Sequence, residues 1–217
     1  GLVIGFLLFS SLTFAESDAN PRAGRMMLLA PAAVLVGIAC VQVLMFWMTG
    51  SGVDQAAQAT AARYTFGVPL LIGTVWALLV AWVIPDPRRG QLDAADIILA
   101  FAAVAVTAYI IFHAPILRLR AGTALAKEAD MFAALIGVIL ILELTRRMAG
   151  LALVIIAGIF VMYSFVGPWL PGILYHRGYS MTRFFTYVFT DQGILGPTTA
   201  ISSTYIILFV AFAAFLQ

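Results

Sequence analysis

Leu92-Asp-Ala-Ala-Asp-Ile-Ile-Leu-Ala-Phe-Ala-Ala-Val-Ala-Val-Thr-Ala-Tyr-Ile-Ile-Phe112 decides the fold. Its only charges, Asp93 and Asp96, lie at the front edge, where they suit the positive end of a helix dipole. A helix needs about 20 apolar residues to cross roughly 30 Å of hydrocarbon, and this run supplies them. Runs of the same kind recur along the chain. Hydrophobic residues make up 63% of the 217 positions, charged residues 10%, and mean hydropathy is +1.05. A soluble domain has about 45–50% apolar and about 25% charged residues. The bilayer is therefore the solvent to reason with, and function is to be sought in transport, membrane-embedded assembly or anchoring.

Working outward from that run, Pro85-Asp-Pro-Arg-Arg-Gly90 precedes it and stops the span before it, because two prolines beside a charge cluster cannot lie in lipid. Six spans are expected, at about 26–48, 64–84, 94–113, 131–146, 150–167 and 199–217. Pro31 falls in the first turn of its span, where a missing N–H costs little. Trp47 and Trp82 sit at far ends, as interfacial aromatics. Gly1 to Ala15 reads as the tail of a further, partial span; it resembles a signal-peptide core but lacks a basic leading region. The chain opens on Gly1 and closes at Gln217 inside an apolar run, as a piece of a longer protein would. No strand-like alternation competes, so the expected fold is all-α: a polytopic transmembrane helical protein.

Net charge is +2 and the isoelectric point near 8.9, too mild to argue for nucleic acid. The basic residues lie in connections, as topology determinants do. Alternate connections hold Arg22, Arg25, Arg88, Arg89, Arg146 and Arg147 on one side and Arg63, Arg118, Arg120, Lys127, Arg177 and Arg183 on the other. That tie of six to six does not orient the chain. The single cysteine, Cys40, lies mid-run and reads as a small packing residue. His113 and His176 lack carboxylates at metal-ligand spacing; His113 is placed at the interfacial end of its run. Neither a phosphate-binding glycine loop nor a Ser/His/Asp arrangement can be argued. The pattern therefore names no catalytic residue, no substrate ligand and no metal ligand.

Three segments stand out. Glu143, Arg146 and Arg147 interrupt an apolar stretch. Charges at membrane depth are costly and often functional, but Glu143 is three and four residues from the two arginines, so a pairing at a helix end is available. A charged corner between two spans is the expectation, with proton relay through Glu143 as the alternative. Pro168 and Pro171, in Gly167-Pro-Trp-Leu-Pro-Gly172, end the fifth span. In Ser180 to Asp191, residues Met181, Phe184, Phe185, Val188 and Phe189 follow the spacing of one helical face, with Thr182, Arg183, Thr186 and Thr190 elsewhere. Ser180 is a good N-cap. The segment is too short to span and reads as an interfacial amphipathic helix, with Phe184, Phe185 and Phe189 toward lipid or scaffold, or else as an extra turn of a neighbouring span. Gly196-Pro197 reads as a breaker before the last span.

Glu143-Leu-Thr-Arg-Arg-Met-Ala-Gly-Leu-Ala-Leu153 resembles a segment of TAXI-type TRAP transporter permeases, the tripartite ATP-independent periplasmic transporters whose small and large membrane subunits are fused. Gly167-Pro-Trp-Leu-Pro-Gly-Ile-Leu-Tyr-His-Arg-Gly-Tyr-Ser180 is similar to the connection that follows in that family, and Ser203 to Leu216 resembles the region beyond. Residues 64–142 fit only by span pattern, and residues 1–63 add almost nothing. The resemblance implies a small-subunit-like region over 1–130 and the opening of the large subunit over 131–217. It also implies a sodium-driven secondary transporter to which a periplasmic substrate-binding protein delivers an organic acid such as a dicarboxylate. The expected place is the bacterial inner membrane. The expected partners are that binding protein, the remainder of the large subunit and the lipid bilayer. No cofactor is expected in this chain beyond sodium as coupling ion, and no enzymatic activity. The motifs for the ion and substrate sites would lie past Gln217, where the family has an acidic residue instead.

Overall fold

The structure, a computed structural model, describes residues 22–49, 63–84, 93–123, 125–190 and 192–216. The partial span expected over 1–15, the Pro85–Gly90 stop, Asp191 and Gln217 lie outside the described residues. Helix and short connections make up the described residues, with no strand among them.

Helix α1 is Arg22–Thr49 and α2 is Val68–Val83, entered through a single π-helical turn, Arg63–Gly67. Helix α3 is Ala94–Arg120, α4 is Glu128–Ala149 and α5 is Leu151–Val166. Two 3-10 turns, Gly167–Trp169 and Gly172–Leu174, lead to α6, Met181–Val188. Helix α7, Pro197–Ile201, runs on through a π-helical turn, Ser202–Ile206, into α8, Ile207–Phe215, with helical backbone at both junctions.

Four helical stretches are long and apolar enough to cross a bilayer: Arg25–Met48, Arg63–Val83, Ala94–Arg120 and Leu151–Trp169. This is the architecture of a polytopic membrane protein. Two of the six expected spans differ. Helix α4 has the length, at 22 residues, but carries Glu128, Asp130, Glu143, Arg146 and Arg147. The last apolar helix, Thr199–Phe215, is shorter than the rest.

Helices α1 to α4 form the bundle. α2 packs on α1, α1 on α3, and α4 on α2, α3 and the π turn before α2. Without a hydrophobic drive between helices in lipid, close approach relies on small residues. The interfaces accordingly bury Ala32, Ala39, Ala77, Ala81, Ala102 and Ala103. At Gly73 of α2 an added Cβ would come within 3.0 Å of Val36 and 3.2 Å of the Ala32 carbonyl. In contrast, α5 buries none of its residues, and the run from α7 to α8 is exposed along its length.

Several boundaries moved for physical reasons. Helix α1 begins at Arg22, so Pro31 lies inside it rather than in its first turn. Helix α3 does not stop at His113 but continues through Pro115 to Arg120, because Leu117 is buried and draws the last turns onto the bundle. His113 is thus buried between Tyr109 and Phe46, not at an interfacial end. Helix α4 runs through Arg146 and Arg147, and the corner falls at Gly150, whose φ of +86° suits glycine.

Candidate functional site

Asp93 and Asp96 at the start of α3 meet the start of α1 and the end of α4, because α1 and α3 run parallel and α4 returns antiparallel. Arg25 pairs with Asp93, both buried. Arg147 reaches 51 positions back in sequence to donate from Nη1 to Asp96 Oδ1 at 2.6 Å, and donates from Nε to Glu143 Oε1 at 2.7 Å. Arg146 grips the same carboxylate through two bonds of 2.9 Å. Trp82, at the end of α2, donates Nε1 to Glu143 Oε2 at 3.3 Å, and the Arg146 guanidinium lies 5.3 Å from its ring centre. The expected pairing of Glu143 with both arginines is present, but it belongs to a layer tying all four bundle helices together.

Three guanidiniums face three carboxylates in this layer, so its formal charge is zero. Guanidinium is a permanent cation, and a carboxylate held by two of them has few lone pairs left for anything else. Asp96 Oδ2 is enclosed and has no hydrogen-bond partner among the described residues. The side chains of Asp96, Arg147 and Glu143 are at most 2% exposed. A closed, neutral layer of this kind can lock helices in register. It offers an ion or a substrate no open ligand.

A second polar cluster lies toward the other end. Tyr109 is thirteen residues along α3 from Asp96, about 20 Å at 1.5 Å per residue. Its hydroxyl donates to Asp130 Oδ1 at 2.7 Å, and Asp130 Oδ2 accepts from the Lys127 N–H at 3.1 Å, capping α4. Phe66 and His113 stack on the two sides of Tyr109. Between α3, α4 and α6 a cavity of about 10 Å³ is lined by Tyr109, Asp130, Ala134, Thr186, Phe189 and Thr190. That volume is at the lower limit for one water.

Helix α6 packs on α4, but not by the face expected. The buried positions are Phe185, Thr186, Phe189 and Thr190, with Thr182 beside them; Met181 and Tyr187 are exposed and Phe184 is half-buried. The helix is turned by one residue, about 100°, from the purely apolar stripe. Two threonines can go inside because each hydroxyl finds a carbonyl one turn back. Thr186 donates to the Thr182 carbonyl at 2.5 Å and accepts from Gly122 N–H at 3.3 Å, while Thr190 donates to the Tyr187 carbonyl at 3.1 Å. Phe189 seats against Gly137 of α4, where an added Cβ would lie 2.2 Å from its ring. Phe184 and Phe185 both meet Phe165 at the end of α5, with ring centres 5.0 and 6.0 Å away. Ser180 caps α6 as expected, accepting from the Arg183 N–H.

Pro168 and Pro171 shape a connection that folds back on α5. The His176 ring lies over Gly167, where no Cβ would fit, donates Nε2–H to the Tyr163 carbonyl at 3.0 Å and accepts at Nδ1 from Gly178 N–H at 3.0 Å. These partners fix one tautomer. The Tyr179 N–H bonds the Ser164 carbonyl at 3.3 Å, and Pro168 packs against Gly178, whose φ is +70°. The glycines, prolines and histidine of this stretch thus satisfy carbonyls at the end of α5.

Among the described residues no group of three His, Cys, Asp or Glu side chains is placed to hold a metal ion. A wide notch of about 430 Å³ between α6 and the start of α7 is lined by Tyr187, Val188, Gly193, Ile194 and Thr199, with no carboxylate, histidine or basic side chain among them. Asp96, Arg25, Asp93, Trp82, Tyr109 and Asp130 were not singled out as site residues from the sequence. Asp93 and Asp96 were visible only as helix-start acids, since their partners are 51 to 68 positions away. Comparison with models of protein families, with curated proteins and with solved structures found no match to the chain.

Proposed function

We propose that this chain is the scaffold part of the membrane permease of a binding-protein-dependent, sodium-coupled secondary transporter for organic acids. The observation that supports this reading is the contrast between the two kinds of helix. Helices α1 to α4 are cross-tied by a closed, charge-balanced layer, as a stationary frame must be. Helix α5 and the run from α7 to α8 present apolar surface with little of it buried, as helices that carry further membrane elements would. The similarity of Glu143–Leu153 and Gly167–Ser180 to TRAP permeases supplies the transport class. Sodium and substrate ligands are assigned to the remainder of the permease, and a periplasmic binding protein is the delivering partner.

A non-transporting anchor or assembly subunit is the second reading. It is favoured by the closure of the charged layer, where the Asp96, Glu143 and Arg147 side chains are at most 2% exposed. Reconstitution of the intact permease in liposomes, with and without binding protein and a sodium gradient, separates the two. Uptake requiring both components is expected. Uptake indifferent to both contradicts the proposal, and absence of uptake of every organic acid tried leaves the anchor reading.

A further inference from the structure

We infer that the connection from Gly167 to Ser180 is a preformed lipid-docking surface that seats in the headgroup layer of an anionic leaflet. Its depth follows from α5: the span Leu151–Trp169 ends where the connection begins. The connection does not leave the membrane surface there. It turns back, and the bonds from His176 N–H to the Gly167 carbonyl and from Tyr179 N–H to the Ser164 carbonyl hold it level with the last turn of α5. Residues at that level stand at the boundary between acyl chains and headgroups.

Its composition suits that boundary. Trp169 and Ile173 are 86% and 103% exposed, and Tyr175 and Tyr179 are each 61% exposed. In water such a cluster would be a costly apolar patch. Aromatic rings with one polar edge are instead favoured at the headgroup level. Arg177, between Tyr175 and Tyr179 in sequence, and Arg183, in the first turn of α6, are exposed. No Asp or Glu occurs from Leu144 through Thr190, so nothing on this segment opposes those cations. The two described acids at this end of the bundle are engaged elsewhere, Glu128 with Arg63 at 2.9 Å and Asp130 with Tyr109. Apolar insertion plus unopposed arginine selects an anionic lipid surface. The expected interfacial element was α6, but its inner face is consumed by α4; the loop before it carries the lipid contact. The inference does not depend on the transport reading, since it needs only that α5 span.

The test uses the whole chain with Cys40→Ala and Ile173→Cys carrying an environment-sensitive nitrobenzoxadiazole dye, reconstituted in vesicles with or without phosphatidylglycerol. Lipids spin-labelled near the headgroup should quench the dye, and aqueous iodide should not. Adding the anionic lipid should strengthen the lipid quenching. Arg177→Gln and Arg183→Gln should each weaken the docking equilibrium roughly fivefold in anionic vesicles only, and Arg→Lys at the same sites should restore it. Because both side chains are exposed, the fold is retained, checked by gel filtration. Iodide quenching without spin-label quenching overturns the inference and makes this a water-facing surface open to a soluble protein partner. Lipid quenching that ignores lipid charge and both arginines overturns the anionic assignment.

Discussion

Arg147 is the residue on which the bundle depends most. It joins the start of α3 to the end of α4 through Asp96, and it does so from a site closed to water. Removing one member of a buried pair leaves a charge with no compensation, at a cost of about 3–5 kcal/mol. Arg147→Met should therefore lower stability by that amount, read by thermal unfolding of the detergent-solubilised protein. Arg146→Met should cost less, because Glu143 keeps Arg147 and Trp82 and because the Arg146 side chain is 14% exposed. Equal losses from the two would mean that the link to Asp96 contributes nothing. Gly137 is constrained for a different reason: its missing Cβ leaves the space that the Phe189 ring fills. Gly137→Ala should destabilise by about 1–3 kcal/mol through overpacking, and Phe189→Leu in the same chain should recover part of the loss. Purely additive effects in the double mutant would remove the proposed contact.

At the scale of single elements, α6 shows how a face is chosen. Phe185→Asp should undock the helix, since it replaces buried apolar area worth about 1.5–3 kcal/mol. Thr186→Asp, which the apolar stripe alone would rate as mild, should be as damaging, because Thr186 is 1% exposed and its hydroxyl is held between Thr182 and Gly122. Met181→Ser, at an exposed position, should be tolerated. Protease sensitivity of the 181–190 segment reads all three. The connection after α5 depends on one imidazole. His176→Ala frees the Gly178 N–H and leaves the Tyr163 carbonyl with the Gly167 N–H as its remaining partner. Amide exchange across 167–180 should then quicken roughly tenfold, the effect of about one to two lost hydrogen bonds. Unchanged exchange would mean that the backbone bonds to Gly167 and Ser164 suffice.

For the molecule as a whole, the scaffold proposal makes a mechanical demand: α2 and α4 must not move relative to each other. The side chain of Phe132 on α4 lies against Gly67 at the entrance to α2, with its Cβ 2.9 Å from where a Gly67 Cβ would stand. A disulfide between Gly67→Cys and Phe132→Cys, in a Cys40→Ala background, is within reach of modest backbone adjustment. The cross-linked intact permease should take up substrate at the rate of its reduced form. Loss of uptake on oxidation, regained on reduction, would mean that the bundle is the moving part.

Hydropathy alone settled that the chain is all-helical and built for a bilayer, because the length of an apolar run against bilayer thickness is a local property. Local signals also placed Ser180 as a cap, the break near Gly167 and the pairing of Glu143 with residues three and four positions on. The run past His113 to Arg120 was not legible, since a buried Leu117 decides it and burial depends on neighbours. The partners of Asp93 and Asp96 were hidden for the same reason: on their own helix they look like ordinary acids at a dipole, and only the return of α4 brings Arg147 to them. The rotation of α6 was decided by the tertiary structure as well. Hydrophobicity ranks phenylalanine above threonine on any wheel, but a threonine whose hydroxyl bonds its own helix is small enough to pack and no longer polar to its neighbour.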